Sequence, residues 1–146
     1  MKKIVFLGLL CLVNSTLFAQ SASDKVLGIW MTVAKNAKIE IYRSDNRYFG
    51  KVLWGTLLYE KDGKTSLKDN LNPDPLLRSR NRIGLIFITD LIYSDGEYSS
   101  GQIYNSTNGK TYRLKMKLLD DNDLEMRGFL GFTLFGQTVK WVRVKE

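Results

Sequence analysis

Histidine is absent from this 146-residue chain, cysteine occurs once, at Cys11, and proline twice, at Pro73 and Pro75. Without histidine, and with a single cysteine near the N-terminus, the chain cannot build a Ser-His-Asp triad, a c-type haem attachment or a His/Cys zinc site. Carboxylate, lysine, tyrosine and hydroxyl chemistry remains, and no cofactor or metal site is expected. No disulfide staple is possible either, so stability has to come from a packed core. Also lacking is any sustained helical periodicity, which leaves strands as the main building material.

The first residues set the context. Lys2 and Lys3 precede an apolar run from Ile4 to Val13, then Asn14-Ser15-Thr16 and Leu17-Phe18-Ala19-Gln20. This reads as a secretory signal peptide over residues 1–19, too short to anchor the chain in a membrane, with cleavage after Ala22 as the alternative. Cys11 follows Leu10 rather than a small residue, which argues against a lipid-anchored start. The expectation is an exported protein, periplasmic or secreted, with no transmembrane span once the signal is removed. Residues 20–146 then form a single domain without cysteine.

Charge gives a mild bias. The chain carries 22 basic and 15 acidic residues, for a formal charge of +7. Basic residues are spread singly along strands (Lys38, Arg113, Lys115, Lys117, Lys140), as on the solvated face of a sheet. With no basic cluster, a nucleic-acid partner is not expected, and an acidic envelope polymer or anionic lipid fits better.

Strand signals recur from Val26 onward. The alternation of Ile39 and Ile41 with Lys38, Glu40 and Tyr42, and of Tyr112, Leu114, Met116 and Leu118 with Thr111, Arg113, Lys115 and Lys117, predicts half-buried strands. The full set is Val26–Val33, Ala37–Arg43, Tyr48–Leu58, Leu85–Tyr93, Glu97–Tyr104, Lys110–Leu119, Asp123–Leu130 and Gln137–Lys145. Turn signals join them, Asn108-Gly109 being the strongest. Eight strands linked mostly by hairpins predict an all-β, antiparallel up-and-down barrel, with a sandwich as the alternative.

One stretch interrupts this series. In Leu71-Asn72-Pro73-Asp74-Pro75-Leu76-Leu77-Arg78-Ser79-Arg80-Asn81-Arg82 the prolines enforce a rigid turn, and Pro75 suits the first turn of a short helix capped by Asp74. The resulting long loop between strands 3 and 4 carries arginines and belongs, by hairpin parity, to the same end as 34–36, 105–109 and 131–136. Loops held by a rigid scaffold are where binding residues concentrate.

Gly28-Ile29-Trp30 resembles the Gly-x-Trp signature of lipocalin-like barrels, and Arg143, after Trp141, stands where such barrels carry a basic partner for that indole. A wider resemblance covers the domain. Asn72-Pro73-Asp74-Pro75-Leu76-Leu77-Arg78-Ser79-Arg80, Gly84-Leu85, Gly101-Gln102-Ile103-Tyr104, Gly109-Lys110-Thr111-Tyr112, Arg127-Gly128, Phe135-Gly136 and Trp141-Val142-Arg143 are similar to the exported bacterial family catalogued as domain of unknown function 2147. The resemblance implies a lipocalin-like barrel and no established activity. Asn105 and Tyr98 depart from the family pattern, which tends to Asp and Trp there.

The leading expectation is a carrier or sensor of a small amphipathic molecule, its apolar body inside the barrel and an anionic head against Arg78 or Arg80. The candidate ligand-binding residues are Trp54, Arg78, Arg80, Tyr104, Tyr112, Arg127, Phe132 and Phe135. Gly28, Trp30, Asn72, Pro73, Asp74, Pro75, Trp141 and Arg143 are expected to be structural. A plainer reading has Arg78 and Arg80 serving the loop itself, through its carbonyls and through Asp69 or Asp74. An envelope enzyme acting on glycan or ester substrates through Asp74 or Glu60, and a module that binds another envelope protein, are the alternatives. The acidic run Asp120, Asp121, Asp123, Glu125 lacks the central glycine of a calcium loop and reads as a solvated turn.

Overall fold

The computed structural model describes residues 22–132 and 136–145. Eight antiparallel strands follow one another around a closed barrel: β1 (Gly28–Thr32), β2 (Ala37–Ser44), β3 (Arg47–Gly55), β4 (Ile86–Ser94), β5 (Glu97–Asn105), β6 (Lys110–Leu118), β7 (Asp123–Phe129) and β8 (Gly136–Arg143). Closure comes from β1 pairing with β8, Trp30 opposite Arg143 and Thr32 opposite Trp141. The barrel therefore replaces the sandwich alternative. Among the described residues, helix is confined to 22–24 and a 3-10 turn at Pro75–Leu77.

Three expected boundaries move by two residues or more; the last strand ends at Arg143 rather than Lys145. The first strand begins at Gly28 rather than Val26, because Val26 and Leu27 turn under the barrel, and the third stops at Gly55 rather than Leu58, where residues 56–58 turn away. Strand interiors also contain irregularities that alternation does not announce. Asp90 and Ser100 adopt φ of 62° and 63°, and the register slips by one residue between Tyr48 and Gly50 against β4 and between Tyr98 and Gly101 against β6. Such bulges sharpen the bend of a strand and help a sheet close.

One half of the barrel is solid. Ile41, Tyr48, Ile88, Leu91, Tyr98, Met116 and Leu124 are buried side by side, and the Tyr98 ring meets Tyr48 edge-on at 5.0 Å and Tyr93 at 4.9 Å. The segment before β1 closes this end. Tyr98 donates its hydroxyl to the Ser23 carbonyl, Tyr48 to Asp24 Oδ1, and the Trp30 indole to the Val26 carbonyl. The Arg143 guanidinium lies 4.3 Å from the Trp30 ring and donates to the carbonyls of Leu27, Lys25 and Asp121. A cation over an indole contributes about 0.5–2 kcal/mol, and here it also satisfies backbone acceptors that the turn leaves unpaired. Gly28 has φ of 125°, and a Cβ there would stand 3.2 Å from Arg143 Nη1. The Gly-x-Trp pattern and the distant arginine are thus parts of one seal.

Candidate functional site: a charge-free cavity under the open end

The other half of the barrel encloses a cavity of about 630 Å³, within the range of about 300–1,000 Å³ usual for small-molecule sites. Its walls come from inward positions near the open ends of the strands: Ile39, Val52, Trp54, Phe87, Ile103, Tyr112, Leu114, Met126, Val139 and Trp141. Its rim is neutral and polar, with Thr32, Asn36, Asn105, Ser106, Thr107, Asn108 and Gln137. Among the described residues, no Asp, Glu, Lys or Arg lines it. The rim is fixed by its own hydrogen bonds. Thr32 Oγ1 donates to Asn36 Oδ1 and accepts from the Asn36 and Ala37 amides, and Asn108 Nδ2 donates to the Tyr112 hydroxyl. Among the described residues, the Trp141 indole N–H is buried without an acceptor. That is an expensive state for a donor. On the β1 side, β8 from Gly136 to Lys140 is exposed, because β1 ends at Thr32.

Of the residues proposed from sequence, Trp54, Tyr104 and Tyr112 line the cavity. Phe132 is 77% exposed and outside the lining, and Phe135 lies outside the described residues. Arg127 stands on the outer face of β7, where Nη1 donates to Thr138 Oγ1 of β8 at 2.7 Å. It shares the parity of Glu125 rather than of Met126, so the inward placement considered from sequence gives way to a cross-strand bond on the outside.

Arg78 and Arg80 are not in the cavity either, and no residue of the loop from Tyr59 to Ile83 lines it. The loop folds over the outer face of β4–β6 instead, around Asp69, which has no exposed surface. Asp69 Oδ2 accepts from Asn72 Nδ2 at 2.8 Å and from Arg80 Nε at 2.9 Å, and Oδ1 accepts from the Tyr104 hydroxyl at 2.6 Å. Arg80 also lies over the Tyr104 ring, 5.6 Å from its centre. Burial, followed by the Asp69 carboxylate, pushes the Tyr104 phenol up to about 12. Arg78 Nε donates to the Asn72 carbonyl, Asn72 Oδ1 accepts from the Asp74 amide, and Asp74 Oδ1 caps Leu76. The two arginines therefore both hold the loop. A groove of about 250 Å³ remains between the loop and the outer strand faces, with Arg80, Gln102 and Thr111 among its walls. Asp120, meanwhile, accepts from the Asn122 and Asp123 amides, which makes its cluster a closed turn.

A profile of a bacterial family, described as uncharacterized protein conserved in bacteria (DUF2147), matches residues 28–143. The chain belongs to this family. The DUF2147 match spans all eight strands, from Gly28 to the Arg143 that stacks on Trp30. No curated protein matches the chain. Among solved structures it is similar to protein HP1028 from the human pathogen Helicobacter pylori, described as belonging to the lipocalin family. The two share 28% identity over 83% of this chain and 84% of that one, with a TM-score of 0.71. This DUF2147 member is accordingly a lipocalin-like barrel.

Sequence reading missed Val52, Phe87, Ile103, Met126 and Val139 as cavity walls and placed Trp141 only as structure. The signal was available. Val52 shares its inward parity with Trp54, and Met126 with Gly128. What could not be read was the level at which large side chains stop filling the barrel.

Proposed function

We propose that this protein binds a small, predominantly apolar molecule in the open half of its barrel, as a carrier or sensor exported to the cell envelope. The observation that carries the reading is the 630 Å³ cavity whose walls are aromatic and aliphatic and whose rim is neutral and polar. Such a lining favours an apolar body by removing it from water and orients it through a few hydrogen bonds at the opening. An anionic head held by Arg78 or Arg80 is replaced by a neutral polar group at the rim, since both arginines are engaged in the loop. The glycan-hydrolysing alternative needs two carboxylates facing one cleft, and among the described residues none lines the cavity.

Native mass spectrometry of protein purified from its own envelope is the direct test. A co-purifying small molecule, displaced by an excess of methyl naphthyl ketone with quenching of Trp54 and Trp141 fluorescence, is the expected result. Protein without an adduct that also fails to bind naphthalene and methyl naphthyl ketone would overturn the reading.

A further inference from the structure

The two ends of the barrel differ in charge as well as in packing. The turns at the closed end, 45–46, 95–96 and 119–122, contain Asp45, Asp95, Asp120 and Asp121 and no basic residue. The connections that leave the open end, 33–36, 56–85, 106–109 and 130–135, contain seven basic residues against four acidic, six of the seven on the long loop that starts at this end and lies along the outer face of β4–β6, and one of the four acids, Asp69, is buried and paired with Arg80. Several exposed apolar side chains also lie at the open end. Val33, Leu57, Leu130 and Phe132 are 57–77% exposed. They sit on three connections, β1–β2, β3–β4 and β7–β8, that are consecutive around the opening because β8 adjoins β1. A soluble turn gains nothing from a phenylalanine or leucine held in water. A contiguous apolar arc beside basic groups is the pattern of a surface that rests on lipid.

We infer that the open end docks on an anionic lipid surface, with Val33, Leu57, Leu130 and Phe132 entering the acyl boundary and Lys35, Lys61 and Lys64 facing the headgroups. Charge complementarity commits the arc to this occupant: the open-end connections carry seven basic residues against four acidic, a net excess that an anionic leaflet attracts, while the aspartates of the closed-end turns face away. Among the described residues no helix is long and apolar enough to cross a membrane, so the contact proposed is one of the barrel's rim lying on the surface. In that pose the cavity opens onto the lipid, and an apolar molecule passes between bilayer and barrel without crossing water. The docking rests on the rim alone and stands whether or not a ligand occupies the barrel.

The experiment is co-sedimentation of the protein lacking residues 1–19 with vesicles of phosphatidylglycerol alone and of phosphatidylcholine alone. Binding to phosphatidylglycerol should exceed binding to phosphatidylcholine and weaken with added salt. The double variant Leu57→Ser, Phe132→Ser should lose roughly tenfold or more in vesicle affinity, from the apolar area withdrawn. Leu119→Ser, at the closed end and 51% exposed, should bind as the parent does. Both variants alter exposed positions, and equal melting temperatures would show that the fold is unchanged. Failure to bind phosphatidylglycerol, equal losses at both ends, or a dimer in sedimentation velocity that the rim variant dissolves, which would mark the arc as a protein interface, would each overturn the proposal.

Discussion

Replacing Asp69 by alanine removes one side chain and leaves three donors without their acceptor. The carboxylate is wholly buried, with Asn72 Nδ2, Arg80 Nε and the Tyr104 hydroxyl at 2.8, 2.9 and 2.6 Å. Hydrogen bonds to a charged group contribute about 1.5–3 kcal/mol each when taken singly, but they do not add. The Arg80 side chain is 35% exposed and rehydrates when its partner goes, so its share is discounted to the level of a partly solvated pair. The net loss expected is about 2–4 kcal/mol, with Tm falling by roughly 3–5 °C per kcal/mol in a domain of this size. Urea unfolding followed by tryptophan fluorescence should show a lower midpoint at unchanged m. A double-mutant cycle with Tyr104→Phe should give a coupling of about 1 kcal/mol or more. No residue of 59–83 lines the cavity, but Tyr104, which Asp69 holds, does, so Asp69→Ala should weaken methyl naphthyl ketone by no more than about fivefold, the loss expected when one lining side chain is set free. A stability loss under about 0.5 kcal/mol or zero coupling would refute the assignment of Asp69 as the loop's anchor. A large affinity loss in a stably folded variant would return the loop to the binding site.

Gly109→Ala should cost about 2 kcal/mol in thermal melts, since φ is 72° and the added Cβ would collide with the Leu71 carbonyl oxygen. Gly63→Ala, with similar φ but open space around it, should cost about 1 kcal/mol and serves as control. Arg143→Lys loses the fork that reaches three carbonyls and should lower stability by about 1–3 kcal/mol, with a change in the near-ultraviolet circular dichroism of Trp30. Alkaline pH should destabilise the fold. Burial raises the Tyr98 phenol, and burial with Asp69 holds Tyr104 at about 12, so the folded state keeps protons that the unfolded state releases near pH 10. That stability is fully present below about pH 10 and is lost as pH rises toward 12; a pH series of urea midpoints should show the fall, shallower in Tyr104→Phe. Trp141→Phe, which removes a buried donor without an acceptor, should recover part of that donor's desolvation cost, so that urea unfolding shows a loss under about 2 kcal/mol despite the volume removed.

The barrel was legible in the sequence because alternation survives on both sides of each hairpin, as Tyr112 to Leu118 shows, and because Gly28, Trp30 and Arg143 mark where the strands meet. The candidate cavity was legible only in part. Hairpin parity puts the long loop at the open end, but it cannot distinguish a loop that leans over the cavity from one that folds down the outside of β4–β6. Asp69 decides that, and a single aspartate in Lys68-Asp69-Asn70 looks like any turn residue until Tyr104 and Arg80 are brought to it. Arg127 failed for a simpler reason. The strand partner that satisfies it, Thr138, lies on β8 and has no sequence signature. The cavity's depth depends on which inward residues meet across the barrel, as Tyr48, Tyr93 and Tyr98 do, and pairing at that distance is a property of register.

The seal at the closed end also settles how the barrel can be held. Residues 22–27 lie under it through Ser23, Asp24 and Val26, and β8 returns to the same pole at Arg143, where the Val144 amide still bonds to Ile29. Both points at which the described chain leaves the barrel are therefore at the pole opposite the opening. A tether, a fusion partner or a sensor-chip linkage joined at either point leaves the mouth facing outward. Two such barrels joined through these points would stand back to back, each presenting its own opening to a different surface.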